Sequence, residues 1–183
     1  MTIASHLPLS AALFLLAGAM PAGDLPPDAP PAAVFADLDG TWAGTFVGYD
    51  TQGRELYRIA VRQTYRTVDG ETQSVEIADT LEDGTVITGQ GKNVARRGGD
   101  GTLELRCLVE KSNGERVEHQ GRLARGPDGE PQIVWFSEAP GRLEVFREAV
   151  RRHGEGWVYT IDGVGRYGES LIVMAGRYRK VAD

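Results

Sequence analysis

The sequence predicts an all-β protein, an antiparallel up-and-down meander of about ten strands closed into a barrel. Two observations carry this. Nine turn signals divide residues 41–181, roughly 10–17 residues apart, which leaves little room for crossover helices. The segments between them alternate apolar and polar residues with a period of two, as strands with one buried and one wet face do.

The opening strand is Gly40-Thr41-Trp42-Ala43-Gly44-Thr45-Phe46. Trp42, Gly44 and Phe46 share one face, so a ring, a gap and a second ring point inward, with Trp42 placed to floor a barrel. Turns follow at Asp50-Thr51-Gln52-Gly53, Asp69-Gly70, Glu82-Asp83-Gly84, Gly98-Gly99-Asp100-Gly101, Ser112-Asn113-Gly114, Pro127-Asp128-Gly129, Pro140-Gly141, His153-Gly154-Glu155-Gly156 and Arg166-Tyr167-Gly168. Asn-Gly, Asp-Gly and Gly-Gly supply the positive φ of tight hairpins. Between turns, Val75, Ile77 and Leu81 oppose Ser74, Glu76 and Thr80. Leu103, Leu105, Cys107 and Val109 oppose Glu104, Arg106 and Glu110. Val117, His119, Gly121 and Leu123 oppose Arg116, Glu118, Gln120 and Arg122. Residues 142–153 also show a helical spacing at Leu143, Phe146 and Val150, but Gly and Pro bracket them at hairpin distance, so a strand is expected. Glycine in Gly89-Gln90-Gly91 is expected to bend a strand at a barrel corner; no helix follows to make a phosphate loop. A two-sheet sandwich is the alternative architecture.

Before the strands, Leu7 to Ala19 form a short apolar block ending in the small-x-small pattern Ala17-Gly18-Ala19. The expected organisation is a signal peptide at 1–22, a Pro/Ala-rich linker at 23–36 and a barrel domain at 37–183. The expected location is secreted or periplasmic. Val34, Phe35 and Leu38 are apolar and are expected to form a helical turn that plugs one barrel end. No apolar run reaches the roughly 18 residues of a transmembrane helix, so no integral membrane segment remains after signal removal. The net charge of -6 argues against a nucleic-acid partner. Cys107 is the single cysteine, which excludes an intrachain disulfide and a cysteine-based metal site.

Gly40-Thr41-Trp42 at the start, with Arg177 or Arg179 near the end, resembles the calycin superfamily, in which lipocalins open on Gly-x-Trp and pack a late Arg over that Trp. The resemblance implies a lipocalin-like barrel, Arg177 lying over Trp42, and a ligand cavity. The strand number is similar to the fatty-acid-binding and nitrobindin-like branches. Asp50 to Arg54 is too short for the helix pair of fatty-acid-binding proteins, and Gly176 stands where their carboxylate-binding Arg-x-Tyr has its Arg, two before Tyr178. No His lies beyond His153 to hold haem as nitrobindin-like proteins do. No cofactor and no particular ligand is therefore implied.

Following each strand inward places Gln63, Asp79, Gln90, His119, Arg147 and Arg177 on apolar faces. Burying a lone charge costs several kcal/mol, so a set of both signs suits either a water-lined cavity or paired core residues. If a cavity forms, Trp42, Phe46, Tyr57, Tyr65 and Trp157 are expected to line it, with His119, Arg147 or Arg177 as polar handles. His119 and His153 lack metal-site spacing, so no metal is expected. Cys107 reads as an inert buried thiol. Apolar residues on both faces, among them Trp135, Phe136, Phe146, Val150, Ile172 and Met174, suggest an outer patch and a monomer or a homodimer. No nucleophile–base or paired-carboxylate constellation is evident. The functional expectation is an exported, non-enzymatic protein holding a small apolar or amphipathic ligand. The alternative is a cell-envelope structural or interaction module with a filled core.

Overall fold

The computed structural model describes residues 25–127 and 129–182. The signal peptide expected at 1–22 lies outside the described residues. Ten strands follow a 3-10 helix at Pro31–Leu38: β1 Gly40–Tyr49, β2 Glu55–Thr67, β3 Thr72–Thr80, β4 Val86–Arg97, β5 Leu103–Lys111, β6 Arg116–Arg125, β7 Pro131–Ala139, β8 Arg142–His153, β9 Gly156–Tyr167 and β10 Ser170–Val181. Each pairs antiparallel with its chain neighbours, and β1 pairs with β10 from Thr41↔Val181 to Tyr49↔Val173, so the sheet closes on itself. Closure removes every free strand edge, and a barrel replaces the sandwich alternative. Residues 142–153 are a strand. Every hairpin turn except Asp69-Gly70 carries a glycine at positive φ, from Gly53 to Gly168. At Asp69-Gly70 the Asp69 carboxylate instead accepts the N–H groups of Glu71 and Thr72, both at 2.8 Å.

One end of the barrel is plugged. Residues 31–36, grouped with the linker by composition, belong to the 3-10 helix and pack onto the barrel. Ala32 and Phe35 are buried, and Phe35 stacks on Trp135 at 6.4 Å between centroids. Phe35 O, on the last turn of the helix, accepts from Gln73 Nε2 at 2.9 Å. Gln73 also reaches Asp39 Oδ1 at 2.9 Å and takes the Asn93 amide at 3.0 Å, so a buried polar chain from β4 through β3 anchors the plug.

Trp42 forms the next layer. It is fully buried, donates from Nε1 to Leu38 O at 2.7 Å, and meets the edge of Tyr159 at 5.6 Å. Lys180 lies over its ring, with Nζ 5.5 Å from the centroid. Arg177, expected in that place, points outward and donates to Asp162 Oδ1 at 2.6 Å. Inward positions on β10 are Met174, Gly176 and Tyr178, so the odd-numbered arginines face solvent.

Two inward glycines let neighbouring strands approach closely. A Cβ on Gly44 would stand 1.9 Å from Arg177 O, and one on Gly91 would stand 1.9 Å from Leu108 O. Backbone cannot yield as a side chain tip can. Gly44→Ala is expected to cost about 1–3 kcal/mol or more by prising the β1–β10 seam apart. Gly99→Ala, with nothing within 4 Å of the added carbon, is the control. Urea unfolding measures both; equal midpoints for the two variants would contradict the tight seam.

Candidate functional site

Above the Trp42 layer the barrel is hollow. A cavity of about 310 Å³ runs from Tyr65, Trp135, Tyr159 and Tyr178 at the floor to Tyr57, Asp79, Lys111, Glu115, Arg142, Glu144 and Tyr167 at the end away from the plug. Its waist is apolar, with Phe46, Ile59, Ile77, Val117, Phe146 and Ile161. The space exists because inward glycines alternate with rings. Gly48 lies under Tyr57, Gly121 under Trp135 and Gly163 under Phe146, each with a hypothetical Cβ within 2.5 Å of the ring.

Of the residues expected to line a cavity, Phe46, Tyr57, Tyr65 and His119 do. Trp42 lies beneath the floor. Trp157 shares the inward parity of Tyr159 but sits two residues nearer the plugged end, at the rim, and is 43% exposed. Arg147 and Arg177 are on the outer face. For β8 the error is one residue of register. Hydropathy favours Leu143 and Val145 as inward, whereas pairing with β9 turns Glu144, Phe146 and Glu148 inward. Gln63 and Asp79 face inward as expected, and Gln90 faces out.

Glu144 and Glu148 are therefore the residues that hydropathy hides. Glycine provides the retrospective signal: Gly163 and Gly165 on β9 oppose Phe146 and Glu144, leaving room for side chains that would be crowded outside a cavity. Glu144 is 3% exposed. It accepts from Arg142 Nη2 at 3.0 Å and from the Tyr167 hydroxyl, and its Oε2 lies 3.2 Å from His119 Nε2. Burial works against its charge, but these hydrogen bonds and the Arg142 guanidinium prevail and hold it down to about 2.

Glu148 is different in kind. No ion pair reaches it among the described residues. Trp135 Nε1 donates to one oxygen, and the Tyr159 hydroxyl meets the other. Burial pushes its carboxyl above the ordinary range; the two hydrogen bonds and His119 only partly offset this. The hydrogen-bond chain continues from Tyr159 to Tyr65 at 3.3 Å, and Tyr65 donates to Gln63 Oε1 at 2.9 Å. Two phenol protons cannot fill three contacts. With Gln63 Oε1 toward Tyr65, a protonated Glu148 fills every contact; an ionised Glu148 fills them when the Gln63 amide turns its N–H to Tyr65.

Around the mouth the charges alternate. Lys111 Nζ binds Asp79 at 2.9 Å and Glu115 at 3.3 Å, and Arg142 Nη2 lies 3.5 Å from Glu115. Lys111 can cross β4 to reach Asp79 because Gly89 stands opposite it. Cys107 also lines the lumen; burial, with the nearby Glu148, pushes its thiol up to about 12. A thiol so weakly acidic is expected to react with iodoacetamide at pH 8 only after denaturation; alkylation of the native protein at the denatured rate would refute this.

Fold and lumen together define a closed, ten-stranded antiparallel barrel with an internal cavity. No protein-family model matches the chain, and no curated protein matches it. Among solved structures it is similar to a de novo designed fluorescence-activating β-barrel, with 12% identity over 82% of this chain and 98% of that one and a TM-score of 0.41. A redesigned β-barrel shows 13% identity over 85% and 98%, with a TM-score of 0.41. Lobster apocrustacyanin A1 shows 12% identity over 81% and 63%, with a TM-score of 0.33.

Proposed function

We propose that the protein is an exported, lipocalin-like binding protein that holds one small apolar or amphipathic molecule in the lumen. The cavity carries this reading. At about 310 Å³ it stands at the small end of the roughly 300–1,000 Å³ range of ligand pockets, with an apolar waist between polar floor and mouth. Such a shape suits a compact ring compound better than a long chain. This reading takes the role as binding rather than catalysis, since the two deepest carboxyls are committed, Glu144 to three partners and Glu148 to two.

Native mass spectrometry of residues 23–183, exported from a bacterial host, tests this. The expected spectrum shows one extra mass per barrel that leaves on denaturation. A bare barrel that also stays bare after incubation with an organic extract of the host would overturn it. A second reading, an envelope interaction module, is favoured by the outer surface. Phe136, Val145, Val164, Val173 and Tyr49 form one outward row across β7, β8, β9, β10 and β1. A dimer mass without ligand in the same spectra would support that reading instead.

A further inference from the structure

We infer that the lumen prefers a ligand whose ring body lies in the apolar waist and whose outer end is a protonated amine. The inference rests on the lumen being a ligand site, and it concerns which charge that site accepts.

The cations of the cavity wall are Lys111 and Arg142, and both are engaged. Lys111 is held between Asp79 and Glu115, and Arg142 between Glu144 and Glu115. A ligand carboxylate would have to share one of them with two protein carboxylates. It would then stand among the three acids at the mouth, Asp79, Glu115 and Glu144, which outnumber the two bases. The floor offers nothing better, since Glu148 lies there without a cation.

An ammonium meets the opposite conditions. Asp79 is 7% exposed and lines the cavity, and only its Oδ2 is bonded, to Lys111; Oδ1 accepts no hydrogen bond among the described residues. The same cavity wall carries aromatic rings from the waist to the mouth. Phe46 stacks with Tyr57 at 6.5 Å and lies 6.4 Å from Phe146, so ring faces are present to receive a cation. The negative field is felt at Tyr57, whose hydroxyl is pushed up by burial first and then by the Glu144 and Glu115 charges. A desolvated ammonium on such faces and one carboxylate oxygen gains more than a neutral group of the same shape.

Three probes with one body separate the possibilities: 2-naphthylmethylamine, 2-naphthalenemethanol and 2-naphthoate, titrated calorimetrically at pH 7 into protein expressed from the full chain. The expected order is amine, alcohol, carboxylate, with about tenfold between successive members. Asp79→Asn is expected to bring the amine-to-alcohol ratio close to one. Raising the salt concentration, which needs no variant, is expected to reduce the same ratio. Equal affinity for all three, or a carboxylate that binds as well as the alcohol, overturns the inference and leaves the lumen as a ligand site. Failure of all three to bind overturns both.

Discussion

Trp42→Ala is expected to lower the stability of the barrel by about 3–5 kcal/mol, the usual cost of deleting a buried Trp side chain. The indole is fully enclosed and touches elements from both ends of the chain: Leu38 below, Tyr159 at its edge and Lys180 across its face. At roughly 2–4 °C per kcal/mol for a domain of this size, the melting temperature should fall by about 6–20 °C. Trp42→Phe keeps a ring but loses the bond from Nε1 to Leu38 O, which leaves a buried carbonyl short of a donor at about 1–3 kcal/mol. Calorimetric melts of the two variants should therefore fall in the order wild type, Phe, Ala. An Ala variant within 1 kcal/mol of wild type would show that the Trp42 layer does not support the barrel.

The second large effect is a stability profile with two opposed limbs, one from each buried glutamate. Glu144 titrates near 2 when folded, against 4.5 unfolded. The folded state binds its proton less tightly, so its contribution is complete above pH 4.5 and is lost as pH falls toward 2. Glu148 is raised above 4.5 when folded. Its contribution is complete below pH 4.5 and declines as pH rises through the folded value. Glu144→Gln should flatten the acid limb, and Glu148→Gln the limb above pH 4.5. Because Gln mimics a neutral acid, Glu148→Gln should melt close to wild type near pH 4.5, below the raised folded value. Glu148→Leu, which strands the donors of Tyr159 and Trp135, should lose about 1–3 kcal/mol for each. Chemical denaturation at a series of pH values measures all three variants against wild type. A Glu148→Gln variant that loses as much as Glu148→Leu near pH 4.5 would mean that the carboxyl is charged in the fold even there.

The architecture was legible because hairpin chemistry is local. Asn113-Gly114, Asp83-Gly84 and their counterparts announce turns without reference to the rest of the chain, and the strands between them alternate visibly. Phe46, Tyr57, Tyr65 and His119 were legible for the same reason, since on β1, β2 and β6 the apolar face is the inward face. β8 broke the rule. Its inner face carries Glu144 and Glu148 and its outer face Leu143 and Val145, so hydropathy assigns the strand the wrong way round and brings Arg147 inward with it. A cavity wall and an apolar outer row produce that inversion together, and only the pairing with β9 reveals it. Arg177 was misplaced by a resemblance: the cation over Trp42 is three residues further on, at Lys180, with the inward parity of Tyr178.

The seam between β1 and β10 also dictates when the molecule can become itself. Thr41 and Val181 are partners, so the ring cannot shut until β10 has left the ribosome. Until then β1 and the growing strand both present open ladders, and the indole that will sit under Tyr178 and Lys180 has only half its cover. Contacts of such long sequence separation are slow to form. The hairpins are local, whereas the β1–β10 closure joins the two strands furthest apart in the chain. Anything that delays the tenth strand therefore leaves a sticky, unsealed sheet rather than a smaller stable one.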